Sequence, residues 1–188
     1  VRFDDKLQPR PGLAESWETP DPKTLILRLR KNVKFHDGTP FNAEAVRFNL
    51  LRAQDKTVSS MVSELINIEA VEVVDPFTVR LRLKRPDASL VLAFTDRAGM
   101  MVSPTAVQKL GDQFGRTPVG AGEYRLTKWT PGDSVRLDRF QEYWEPGRPY
   151  LDGILMRIMP DGDTRVKALR SGQVDFIMEI PTQDFASL

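Results

Sequence analysis

The sequence predicts an α+β fold, mixed and antiparallel sheets with flanking helices, and three observations predict it. Apolar and polar residues alternate with a period of two over residues 24–35, 71–83 and 124–139. Segments with helix caps and a period near that of a helix stand at 43–53, 104–110 and 164–171. Late in the chain, from Ile154 onward, the patterns succeed each other as strand, helix, strand.

Leu25, Leu27 and Leu29 alternate with Ile26, Arg28 and Arg30, and Val33 and Phe35 resume the period after Lys31-Asn32, so residues 24–35 read as a strand wetted on one face. His36-Asp37-Gly38-Thr39-Pro40 stops it, with Asp37 bonding its own backbone and Gly38 supplying a positive φ. Asn42 then suits the N-cap of a helix to about Ala53, with Ala43, Val46, Leu50 and Ala53 spaced to face a core. Val71 and Val73 pair with Val79, Leu81 and Leu83 as a hairpin turned by Asp75-Pro76-Phe77-Thr78.

A short helix is expected over Ala88 to Phe94, and a second from Pro104 to Leu110, capped by Ser103 and stopped by Gly111. Tyr124 to Arg139 reads as another hairpin, turned at Pro131-Gly132-Asp133. Ile154 to Met159 reads as a buried strand, and Thr164 to Ser171 as a helix capped by Asp163 and closed by Gly172. Val174 to Ile177 reads as a strand, and Pro181 begins a helix that runs to Leu188.

Composition bounds the function. The 188 residues balance 27 Lys and Arg against 26 Asp and Glu, with 40% hydrophobic residues, which is the make-up of a globular chain long enough for a core. No single-sign block points to nucleic acid or an anionic membrane. The longest purely apolar run, Leu90 to Phe94, is far shorter than a spanning helix needs. Absence of cysteine excludes disulfides, thiolate metal sites and a cysteine nucleophile. The chain opens on Val1-Arg2-Phe3 without signal-peptide features, so any targeting segment is expected outside it.

Few residues suggest chemistry. His36-Asp37 could form a metal pair or an acid–base dyad, but His36 is the sole histidine and no second one supplies a convergent ligand. Asp161-Gly162-Asp163 lacks the remaining spacing and closing Glu of a calcium loop, and Gly120-Ala121-Gly122 lacks the sequel of a phosphate loop. Ser16, Ser103 and Ser171 have no nucleophile context. Trp17, Trp129, Tyr143 and Trp144 read as packing anchors before ligand platforms. No catalytic residue, metal site or cofactor is expected. Arg97-Ala98-Gly99-Met100-Met101 is the exception to the bland reading: an arginine and two methionines around a glycine make an adaptable, partly polar loop.

The segments Pro11-Gly12-Leu13-Ala14-Glu15-Ser16-Trp17-Glu18 and Leu27 through Pro40, followed by Ala43-Glu44 and Val46, carry a resemblance. So do Val102-Ser103-Pro104, Pro118 through Tyr124, Tyr143-Trp144, Pro149 through Ile154 and Ala168 through Asp175. Together, and in this order, they resemble the family 5 extracellular solute-binding proteins, the dipeptide, oligopeptide, nickel and glutathione receptors of ABC importers. Within it, the run Arg97 to Pro104 looks most like the glutathione and dipeptide receptors. The chain departs from the usual pattern at Ala121 and Glu123, where the family has threonine and proline, and at Ala45, where an acidic residue is common. The departures bear on local turn rigidity and one helix-start interaction.

The resemblance implies a partial lobe of a periplasmic-binding-protein clamshell of class II type, closing on a peptide or peptide-like solute and delivering it to ABC permease subunits. Family members are much longer, so residues 1–103 are expected as the extra α/β subdomain of the first lobe and 104–188 as an incomplete piece of its main subdomain. The periplasm, or another extracytoplasmic compartment, is the implied location. Expected solute contacts are Arg97, Met100 and Met101, with Met61 behind them. The alternative is a module that docks on a permease or on its own copies without binding solute, since uncovered sheet edges and apolar faces invite association. A third reading, a metal-dependent enzyme on His36 and Asp37, predicts tight divalent binding.

Overall fold

The structure is a computed structural model that describes residues 1–185. Its centre is a four-stranded antiparallel sheet in the order β3, β4, β6, β5, formed by β3 (Ala14–Asp21), β4 (Thr24–Leu29), β5 (Ile68–Asp75) and β6 (Thr78–Leu83). Before it, β1 (Arg2–Phe3) and β2 (Pro9–Arg10) make a small hairpin. The period of two does what it promises: Leu25 and Leu27 on β4 oppose Leu81 and Val79 on β6, and all four are buried on one face. The opposite face carries Glu72, Arg80 and Arg82, where Glu72 pairs with both arginines.

Helix α1 (Ala43–Ala53) covers the apolar face. Asn42 caps it, its Oδ1 accepting from the Ala45 N–H at 3.0 Å, and Val46 and Leu50 pack against β5 and β6. Burying such a side chain is worth about 1.5–3 kcal/mol. The expected strand over 24–35 is regular only to Leu29, because Asn32 takes a left-handed φ of 59°. Val33 and Phe35 stay buried beyond that break, and Lys34 bridges to Pro40. Short helices α2 (Val62–Leu65) and α3 (Leu90–Ala93), a 3-10 turn at Arg97–Gly99 and α4 (Pro104–Leu110) follow.

Contacts divide the chain into two compact units, Val1–Arg125 with Arg139–Asp152, and Leu126–Asp138 with the chain from Gly153 onward. The strands β7 (Tyr124–Thr130), β8 (Ser134–Arg139) and β9 (Gly153–Arg157) form a three-stranded sheet in that order. α5 (Gly162–Arg170) follows.

Four expectations are corrected late in the chain. β9 is not buried: among the described residues it is the edge strand, paired on one side only, and Leu155, Met156 and Ile158 are about half exposed. The cap of α5 is Asp161, whose Oδ1 accepts from the Thr164 N–H at 2.8 Å, while Asp163 lies inside the first turn. Val174 to Ile177 forms no strand, since the Gln173 and Val174 amides turn back to the Ala168 carbonyl. From Pro181 the chain makes only a 3-10 turn, Thr182–Asp184, and the rest of that expected helix, 186–188, lies outside the described residues. Among the described residues no helix is long and apolar enough to cross a membrane.

Candidate functional site

The loop singled out by its arginine and methionines is fixed at both ends by the core of the first unit. At its start, Gly99 packs so closely on α3 that a Cβ there would lie 1.9 Å from the Phe94 carbonyl oxygen. At its end stands Asn49, a buried polar residue on the apolar face of α1. Its Nδ2 donates to the Val102 carbonyl at 2.8 Å and its Oδ1 accepts from the Val102 N–H at 2.9 Å. Nδ2 also donates to Ala45 within the helix, so the buried amide is satisfied. The signal for Asn49 was present in the sequence, as a polar residue beside Val46 and Leu50 where helical spacing demands burial.

Next along, Ser103 is completely buried. Its Oγ accepts from the Ala106 N–H as the cap of α4 and donates to Asp37 Oδ2 at 2.5 Å. Asp37 Oδ1 accepts from the Thr39 N–H and hydroxyl, closing the turn that Gly38 makes with a φ of 81°. Burial pushes the Asp37 carboxyl up, but the bonds from Ser103 and Thr39 outweigh it and hold it below the usual carboxylate value. Ser103 N–H donates to Val119, Val102 bridges Gly120, and the His36 N–H donates to the Gly120 carbonyl. The turn read from the sequence is thus the anchor of two distant loops.

The predicted residues are distributed unevenly on this frame. Arg97, with 63% of its side chain exposed, points a guanidinium toward Glu64 at 3.8 Å, and Glu64 belongs to the turn that Met61 opens. That brings Arg97 and the Met61 end of α2 to one rim. Met100 is 68% exposed on the same loop. Met101 is turned inward, packing on the core and bordering a cavity of about 30 Å³ with Leu13, Leu29, Phe94 and Gly99. Among the aromatic residues, Trp17 and Trp144 pack on the core, with the Arg30 guanidinium 4.2 Å from the Trp144 ring centre, and Trp129 is 44% exposed. Among the described residues no group of three or more His, Asp or Glu side chains is placed to hold a metal ion.

An exposed planar cation and a polarisable thioether on a fixed loop suit a ligand with carboxylate or carbonyl oxygens beside apolar surface. A separate open groove of about 580 Å³ runs along α1, between Phe48, Leu51 and Val58. Its rim charges Arg47 and Glu44 are already paired at 3.0 Å.

Comparison with known proteins adds an independent line. Residues 8–188 match the family described as bacterial extracellular solute-binding proteins, family 5, middle. The glutathione-binding protein GsiB of Escherichia coli is 38% identical over 188 residues, covering 99% of this chain and 37% of its own length. A solved structure of AgaA in complex with agropinic acid, from A. tumefaciens R10, is 34% identical and superposes with a TM-score of 0.94, over 100% of this chain and 38% of its own. The DppA of Helicobacter pylori, solved with the peptide STSA, gives 27% identity and a TM-score of 0.84, over 95% of this chain and 40% of its own. The chain therefore spans well under half the length of the relatives it matches.

Proposed function

The chain belongs to the family 5 bacterial extracellular solute-binding proteins, and from that premise we propose that it is the first-lobe part of a receptor for an ABC importer. The receptor captures a peptide or peptide-like solute outside the cytoplasm, in the periplasm or its equivalent, and hands it to the permease subunits. In this reading residues 1–103 are the extra α/β subdomain and 104–188 part of the main one. The compact unit that holds the four-stranded sheet runs on past residue 103, to Arg125, and takes in Arg139–Asp152. It is a binding role, with no catalytic residue and no cofactor assigned.

One observation carries the solute assignment: Arg97 and Met100 stand exposed on a loop whose backbone is held by Phe94 and Asn49. A preorganised loop loses little entropy when a ligand orders it. Arg97 offers planar donors to a carboxylate or amide carbonyl, Met100 an adaptable apolar contact, with Met61 and Met101 at its margins. Glutathione and short peptides, named with GsiB and DppA, carry both kinds of group. A clamshell buries its ligand from two sides, so one lobe alone binds weakly.

The test is a calorimetric titration of glutathione and short peptides into the 188-residue chain and into the complete receptor, with and without Arg97→Ala. Binding by the complete receptor, weakened about tenfold by the substitution, is the expected result; that factor corresponds to about 1.4 kcal/mol. Unchanged affinity removes Arg97 from the site, and a complete receptor that takes no peptide-like solute ends the reading.

A second reading, self-association or permease docking without solute binding, draws on the other unit. There Phe176 and Met178 are more than three-quarters or about three-quarters exposed, at 77% and 75%, and Phe185 lies exposed near them in sequence. Mass by light scattering that rises with concentration favours it, and a strict monomer counts against it.

A further inference from the structure

His36 touches no expected solute contact, yet three of its atoms hold one loop. Its backbone N–H donates to the Gly120 carbonyl at 2.8 Å, its Nε2 lies 2.9 Å from the Gly122 carbonyl, and the Gly120 N–H points at its Nδ1 at 3.3 Å. A carbonyl oxygen only accepts and an amide N–H only donates, so the ring is neutral, with its proton on Nε2. The Phe140 ring meets it edge to face at 5.0 Å. On the far side of the same loop, Gly120 bridges Val102 and Val119 accepts from the Ser103 N–H. Residues 119–122 are therefore a wedge between the imidazole and the segment that carries Arg97, Met100 and Met101.

We propose that His36 is a positioning residue for the Arg97–Ser103 rim, acting as a proton-dependent latch that grips the Gly120–Gly122 loop when neutral and lets go of the Gly120 N–H when protonated. An imidazolium carries N–H on both nitrogens, so Nδ1 then faces the Gly120 N–H donor to donor. A half-buried amide left without an acceptor loses its compensation for leaving water. The Gly122 contact and the bond from the His36 backbone N–H to the Gly120 carbonyl survive protonation, so the loop keeps one side-chain and one backbone bond to His36 and loses the third. The charged groups that face the ring are Asp37, from its own turn, which favours the proton, and Arg125, from β7, which opposes it. Phe140 contributes a ring and no charge. Burial is the largest influence, and it favours the neutral, gripping form.

The latch itself stands on these contacts alone, whereas its effect on solute rests on the receptor reading. Because the chain has one histidine, ¹⁵N resonances of the imidazole report His36 without ambiguity. At pH 8 the expected spectrum shows a bare Nδ1 and a protonated Nε2, and the ring titrates below 6.5, its ordinary value. Through that titration the protection of the Gly120 and Ser103 amides against hydrogen exchange falls by about tenfold, the factor that the loss of one net hydrogen bond represents. In His36→Gln, which has no group to titrate there, protection is flat over the same range. A proton on Nδ1 at pH 8, or protection unchanged while the ring titrates, overturns the proposal. Should His36→Gln fail to fold, the wild-type titration decides alone.

For the complete receptor, solute affinity falls over the same pH range in the wild type and stays level in His36→Gln. A latch that opens with affinity unchanged overturns the positioning role. Failure of the receptor to bind any peptide-like solute at any pH is the separate failure of the receptor reading, and leaves the ring titration and amide protection to judge the latch.

Discussion

Asp37 and Ser103, 66 positions apart, are joined by a 2.5 Å hydrogen bond from the Ser103 hydroxyl to Asp37 Oδ2. The same hydroxyl oxygen accepts from the Ala106 N–H, so one fully buried atom caps α4 and ties it to the turn that follows the first long strand region. Ser103→Ala removes both bonds at once. Losing a cap together with a buried side-chain bond costs about 2 kcal/mol. Urea unfolding of the chain should show that loss with an unchanged slope, and a midpoint equal to the wild type would mean that the two loops are held together by packing alone.

Two glycines separate two physical reasons for being glycine. At Gly99 an added Cβ meets the Phe94 carbonyl oxygen at 1.9 Å, so the backbone of the loop must move. At Gly38 a Cβ meets nothing within 4 Å, and only the left-handed φ of 81° resists substitution. Gly38→Ala should therefore cost about 1–2 kcal/mol, the ordinary penalty of that conformation. Gly99→Ala should cost more and also weaken solute binding in the complete receptor. Thermal unfolding of the two variants side by side checks the order, and the reverse order would mean that the Phe94–Gly99 approach relaxes freely.

Local chemistry was legible in the sequence wherever a short-range rule governs it. The Asn42 cap, the Asp75-Pro76-Phe77-Thr78 hairpin turn and the Ser103-Pro104 helix start all stand where their residues place them. The same rules misplace the cap of α5, since Asp161 and Asp163 are equally good candidates and only the geometry chooses. They also bury β9 and add a strand at Val174 to Ile177, because apolar composition says what a segment would cover, not whether a neighbour arrives. The site divides likewise. Arg97 and Met100 were legible as an unusual loop, whereas the Asn49 clamp and the His36 bracket join residues 53 and 84 positions apart, which no periodicity reports.

Stability should fall in two steps as pH drops. The folded His36 titrates below its ordinary 6.5, chiefly through burial, so the unfolded chain takes up the proton first. Its contribution is complete above pH 6.5 and is lost as pH falls toward the folded value. Asp37 also titrates below its ordinary 3.8: burial opposes this, and the bonds from Ser103 and Thr39 prevail. Its contribution is complete above that value and disappears as pH falls through the folded one. Asp4, Asp21, Asp55, Asp75, Asp87 and Asp161 are shifted the same way and share the second step. The Val1 amino group, also held below its ordinary 8.0 by burial, shares the upper step, so urea midpoints from pH 8 to 3 should show a smaller upper step in His36→Gln and a reduced lower step in Asp37→Asn. A midpoint that rises between pH 7 and 5 in the wild type would contradict the sign.

Met100 and Met101 are neighbours with opposite surroundings, and the contrast separates a binding role from a packing role. Met101 packs on the core and borders the 30 Å³ cavity, so Met101→Ala enlarges an apolar void that its neighbours fill only in part. Truncating a methionine in a core costs about 2–5 kcal/mol, and the lower end suits a side chain already partly exposed. Met100 is 68% exposed, so Met100→Ala should shift stability by no more than about 0.5 kcal/mol. In the complete receptor the expected pattern crosses over: Met100→Ala weakens solute binding at unchanged stability, and Met101→Ala lowers stability first. Affinity indifferent to Met100 would leave Arg97 as the exposed contact on that loop. A Met101→Ala chain as stable as the wild type would mean that the loop is free to close over the cavity.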